Sequence, residues 1–149
     1  ISLLSLDFDC LLLISPSIAL LEEEAAELEQ SGVPRVNIGR ELSTSLLDVP
    51  RPRWAASARD WFLGSVTACT NPPLLCTSPD LLFHPALELD PLALFRQAAR
   101  VKRLIVLWPG DLSGKLLSYA VPEHHHYRTW QLSEELLRHP FVAIELLSA

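Results

Sequence analysis

The sequence is short of the residues that phosphate chemistry uses. Lysine occurs twice in 149 residues, against ten arginines. No glycine and no lysine stands between Ile14 and Leu20, where a short apolar run passes through Ser15-Pro16-Ser17 into a helical pattern. A working phosphate loop needs glycines that turn backbone N–H groups onto the phosphates, and a lysine for the outer ones. Pro16 removes one more backbone donor. Also missing are a CxxC or other metal-type cysteine spacing and a GxSxG nucleophile turn. No apolar run exceeds the five residues Cys10–Ile14, far short of the ~20 that cross a bilayer. The start, Ile1-Ser2-Leu3-Leu4-Ser5-Leu6, lacks the basic n-region of a secretory signal and soon meets Asp7 and Asp9.

What is present is apolar surface. Hydrophobic residues make up 49% of the chain and its mean hydropathy is +0.23. A chain of this length folds as one domain, 1–149, with a core of its own. The apolar excess predicts a protein-docking surface beside that core. A net charge of −6 and a pI near 5.3 argue against binding nucleic acid by bulk charge. Local contact with a partner or with DNA is left to arginines that cluster in sequence, Arg51 with Arg53 and Arg100 with Arg103. Cys10, Cys69 and Cys76 form an odd set, expected as reduced, buried thiols of a cytoplasmic protein.

Along the chain, apolar strands without period-two alternation take turns with helical patterns. Phe8–Ile14 reads as a strand buried on both faces. Ser17 is placed to cap the helix running to Gln30, and Glu22-Glu23-Glu24 fall early in it. Further strands are expected at 35–39, 74–76 and 103–107, with a fifth at 127–131. Helices are expected at 41–47, 54–67, 91–101 (with Asp90 as cap) and 133–137. Gly114 turns the chain into a hairpin-like segment at 116–120. Residues 1–7 read as an arm. Residues 132–149 read as a C-terminal extension, with 141–147 a last strand or a tail for a partner. The pattern predicts an α/β fold, a largely parallel sheet of about five strands with helices on both faces.

The chemistry-bearing residues are sparse. A metal-orienting carboxylate would stand at the end of the third strand, but Thr77 holds that place and Asp80 is the only acid nearby. Of His124-His125-His126, only the first and third would share one face of an extended segment, so no metal is expected. His84 and His139 stand beside prolines as loop residues, and Cys76 has no paired base in the sequence. Trp54, Trp61, Trp108 and Trp130 are expected as core or interface anchors.

Residues 81–92, Leu81-Leu82-Phe83-His84-Pro85-Ala86-Leu87-Glu88-Leu89-Asp90-Pro91-Leu92, lead through Arg100 to Leu104-Ile105-Val106-Leu107-Trp108-Pro109-Gly110. Leu117-Ser118-Tyr119-Ala120-Val121-Pro122, His124 and Tyr127-Arg128 follow, and Val36-Asn37-Ile38 with Glu41-Leu42-Ser43 precede. In order and spacing this set resembles the small P-loop proteins of the BrxF family, found in type 3 BREX phage-defence systems. The resemblance covers about residues 8–130. It implies a P-loop NTPase fold with strand order fifth, first, fourth, third, second. The family's Gly-rich Lys-Thr loop is replaced here by Ser15-Pro16-Ser17, and its metal-binding Asp by Thr77. The resemblance therefore implies a degenerate relative that binds no cofactor and catalyses nothing. Such a chain would be a structural subunit docked on a larger protein of a bacterial antiphage or DNA-processing assembly, touching DNA indirectly. Two rival readings stay open: a weak nucleotide-binding switch or ATPase subunit, and a DNA-binding accessory module.

Overall fold

The computed structural model describes residues 7–120, 124–138 and 140–146. Among these residues are seven strands and four α-helices. β1 (Cys10–Ser15) leads into α1 (Ile18–Gln30), and β2 (Arg35–Asn37) into α2 (Ile38–Leu46). α3 (Trp54–Thr67), β3 (Leu74–Thr77) and α4 (Pro91–Ala99) follow. The chain closes with β4 (Leu104–Ser113), β5 (Leu116–Tyr119), β6 (Arg128–Gln131) and β7 (Phe141–Glu145).

The sheet runs β2-β3-β4-β1-β7, and every pairing along that path is parallel. The first, fourth, third and second expected strands take their expected places, but the expected fifth does not. Residues 128–131 do not join the parallel sheet. They pair antiparallel with β5, which pairs antiparallel with the outer half of β4. The place beside β1 belongs to Phe141–Glu145, so the stretch expected as an extension supplies an edge strand.

Both faces of the parallel strands are covered, which is why their sequences run apolar without alternation. Leu11, Leu13, Leu75, Ile105 and Leu107 meet Leu21, Ala25 and Leu28 of α1 on one face. Cys10, Leu12, Ile14, Cys76 and Val106 meet α2, α3 and α4 on the other, through Leu42, Phe62 and Phe95 among others. Each fully buried leucine or phenylalanine there contributes about 1.5–3 kcal/mol relative to exposure.

Local rules set the helix starts. The Ser17 hydroxyl accepts from the Leu20 N–H at 3.2 Å and the Asp90 carboxylate from the Ala93 N–H at 3.2 Å, both as expected. Asn37 caps α2, and Glu41 accepts from the Asn37 N–H in return. Two expectations fail. α1 begins at Ile18, so Glu22 lies beyond its first turn. Residues 134–137 form turns instead of a helix, held by the Leu136 N–H on the Ser133 hydroxyl. The expected arm falls mostly on residues 1–6, outside the described residues. No helix among those described is long and apolar enough to cross a membrane.

Candidate functional site

In a parallel α/β sheet, ligands bind beyond the carboxyl ends of the strands, where neighbouring strands lead to opposite faces. β1 leads to α1 on one face and β3 to the opposite layer, so the gap between them is where a ligand would enter. It is lined by Ile18, Leu21 and Glu22 of α1, Ser78-Pro79-Asp80 after β3, and Leu107 and Pro109 of β4. The cavity measures about 80 Å³, against the ~300–1,000 Å³ of ordinary small-molecule sites. Its lining contains two carboxylates and no cation.

The turn itself is closed from within. The Ser15 hydroxyl, on a buried residue, accepts from the Ser17 N–H at 3.0 Å, and Ser17 in turn caps Leu20. Pro16 has no N–H to offer. Two donors that could face an anion are thus bound to side chains of the same turn, and Ile18, 59% exposed, projects at the mouth.

At the end of β3, Thr77 is fully buried and faces the α1 layer. Its hydroxyl accepts from Arg35 Nε at 3.0 Å and lies 3.3 Å from the Val36 carbonyl. Arg35 also reaches Glu29 at 2.7 Å and Glu22 at 3.4 Å on α1. The Glu29 hydrogen bond leads in holding that guanidinium above its ordinary range. Where a metal-binding Asp would stand, a hydroxyl therefore ties β3 to β2, and the nearby cation is spent on helix glutamates. Asp80 accepts from the Tyr119 hydroxyl at 2.7 Å. Burial first, then the bond and charge of Asp80, push the Tyr119 phenol well above its usual range. This pairing spans 39 residues and left no local signal in the sequence.

Tyr119 belongs to an aromatic cluster that fixes the hairpin. Phe83 stacks on Tyr119 at 3.8 Å and meets Trp108 edge-on at 5.0 Å, and Trp108 meets Trp130 at 5.2 Å. Trp108 Nε1 donates to the Ser118 carbonyl at 2.9 Å and Trp130 Nε1 to Asp90 at 3.1 Å. Trp54 donates to the Val49 carbonyl and flanks an apolar groove of about 350 Å³ with Leu46, Leu47, Leu81 and Leu87. Leu47 there is 79% exposed.

The larger cleft, about 500 Å³, lies between residues 83–90 and 125–128. His84 and His126 stand with ring centres 4.8 Å apart, and His124 and His126 at 5.5 Å. Nδ1 of His84 accepts the Ala86 N–H, and Nδ1 of His124 the His126 N–H. Each ring then carries its proton on Nε2 and presents a donor, the wrong form for a metal ligand. No three His, Cys, Asp or Glu among the described residues are disposed to hold a metal. Glu123 and His139 lie outside those residues.

The arginines part ways. Arg51 and Arg53 are exposed before α3, with the Arg51 guanidinium 5.9 Å from the Trp54 ring centre. Arg103 donates to the Phe8 carbonyl at 2.9 Å and lies over the Phe8 ring. Arg100 is exposed at the end of α4, beside a cavity at the opposite end of β1. Cys10, Cys69 and Cys76 are free and buried, and burial raises the Cys76 thiol well above its usual range. No protein-family model, curated protein or solved structure matches the chain.

Proposed function

We propose that this chain is a non-catalytic subunit of P-loop NTPase type that has kept the scaffold and lost the nucleotide site. The observation that carries the reading is the corner after β1. Ser15 and Ser17 each take up one of its backbone donors, Pro16 offers none, and the adjoining cavity is small and acidic. Phosphate chemistry at this place needs free N–H groups and a cation. Thr77 and Asp80 are each committed to an internal hydrogen bond. The parallel order β2-β3-β4-β1 is consistent with such a scaffold.

The role that remains is assembly: docking on a larger protein subunit in a bacterial cytoplasmic complex, of the antiphage kind that the BrxF resemblance implies. Exposed Ile18 and Leu47, the latter beside the apolar groove, support a protein partner. Calorimetric titration with ATP and GTP, with and without Mg²⁺, tests the loss. The expected result is no Mg²⁺-dependent binding, and a micromolar Mg²⁺-dependent isotherm would establish the nucleotide-switch alternative instead.

A further inference from the structure

The cations of this acidic chain are unevenly employed. Arg35 is held by two glutamates, Arg103 by the Phe8 carbonyl, and Arg128 by the Leu89 carbonyl and the Trp130 ring. Arg96, Arg100 and Arg138 are different. They converge on a cavity of about 240 Å³ at the start of β1, shared with Asp9 and Glu135. None of the three forms an ion pair among the described residues.

Two of them have an explanation without a ligand. Arg96 lies in the last turn of α4 and Arg100 at its C-cap, where cations offset the negative end of the helix. Arg138 has no such reason. It comes from the turn before β7 and brings a third guanidinium to a place already holding two. Burial, with Asp9 adding to it and Arg96 opposing, pushes the Cys10 thiol up to about 12, so no thiolate balances Arg96. Three guanidiniums against two carboxylates leave one positive charge in excess around the cavity.

We infer that this cavity binds a phosphate group, either free or at the end of a larger molecule. Guanidinium forks match phosphate oxygens two at a time, and three forks from two elements surround one tetrahedral anion better than one planar carboxylate. The volume suits a phosphate with its waters, below the ~300 Å³ at which ordinary ligand pockets begin. The six residues of β1 separate it from the closed corner by roughly 20 Å, so it stands independently of the function proposed above.

The test is titration of the full chain with inorganic phosphate and with a short DNA oligonucleotide, with and without a 5′-phosphate. Arg100→Gln, Arg138→Gln and the distant control Arg51→Gln are compared, with circular dichroism verifying each fold. Saturable phosphate binding is expected, weakened about tenfold by Arg100→Gln or Arg138→Gln and unchanged by Arg51→Gln. If the phosphorylated oligonucleotide binds tighter than phosphate and than its unphosphorylated twin, the natural ligand is a nucleic-acid end. If it binds no tighter than phosphate, the ligand is a small phosphate ester. The proposal is overturned if phosphate binding does not saturate, if Arg51→Gln weakens it as much as Arg138→Gln, or if the unphosphorylated oligonucleotide binds equally well.

Discussion

β4 is two strands in one, and its halves are stabilised by different means. Leu104–Leu107 lie parallel between β1 and β3, with helices over both faces. Gly110–Ser113 pair antiparallel with β5, and the hairpin beyond is fastened by rings and single hydrogen bonds. The inner half spreads its stabilisation over many apolar contacts, each replaceable by a side chain of similar volume. The hairpin concentrates it at Gly110 and Tyr119, with Trp108 at the junction of the two halves. Substitutions should therefore separate the two regions by kind as well as by size.

The largest effect is expected at Gly110. A Cβ there would lie 1.9 Å from the Ser118 carbonyl oxygen, a backbone atom held in the β4–β5 ladder, so the strands must part to admit it. Gly110→Ala should cost about 3–5 kcal/mol in urea unfolding. Gly64, inside α3 with open space around it, is the control: Gly64→Ala should stabilise by about 0.5–1 kcal/mol. Equal midpoints for the two variants would show that the β4–β5 ladder is not closed tightly at Gly110.

Tyr119→Phe comes next, at about 1 kcal/mol for the lost bond to Asp80. It also carries a pH signature. The phenol ionises less readily in the folded chain, so the unfolded state releases its proton first as pH rises past about 10. Stability should fall more steeply above that pH in the wild type than in the variant, where the buried Cys10 and Cys76 thiols still contribute a decline. A wild-type curve no steeper than that of Tyr119→Phe would mean the hydroxyl is not bound.

On the side of the parallel sheet, Ser17→Ala removes one cap and should cost about 1 kcal/mol. Adding Ser15→Ala frees the Ser17 N–H as well. The double variant should still show no Mg²⁺-dependent ATP binding, because Glu22 and Asp80 keep the adjoining cavity acidic. A gain of binding would show that the two serines alone close the site.

What the sequence disclosed follows the same division. The parallel strands and their helices are local patterns, apolar runs of strand length followed by caps such as Ser17 and Asp90, and they were legible to within a few residues. The turn at Gly114 into β5 was legible too, but the contacts that fasten the hairpin were not, because Asp80 and Phe83 lie far from Tyr119 in the chain. Segment 128–131 looked like one more strand of the sheet, though its half-buried Arg128 and Trp130 alternate with exposed Thr129 and Gln131, the mark of a one-sided antiparallel strand. Residues 141–145 read equally as a last strand or a tail, because an edge strand of five residues has only Phe141 buried. The absence of glycine and lysine from the corner was readable from composition. The bonds near it, Arg35 to Thr77 and Tyr119 to Asp80, required the fold.

The smallest effect belongs to the histidines that border the hairpin. His126 stands 4.8 Å from His84 and 5.5 Å from His124, ring centre to ring centre. Desolvation first, then the charges of His84, His124 and His125, hold its imidazole below the usual range. Glu88, Asp90 and Arg128 also line this cleft, and the two carboxylates soften the mutual repulsion of the rings. Above about pH 6.5 the ring is neutral in folded and unfolded chains alike. As pH falls through that value the unfolded state takes up its proton first, so stability declines until the folded ring is protonated too. Solvent screening keeps the loss small. Strand-resolved amide exchange between about pH 7.5 and pH 5.5 should show β6 opening more readily at the acid end while β1 holds, once intrinsic rates are divided out. His126→Gln should remove most of that difference. If β1 and β6 change together, the hairpin does not open separately from the parallel sheet, and the two halves of β4 unfold as one unit.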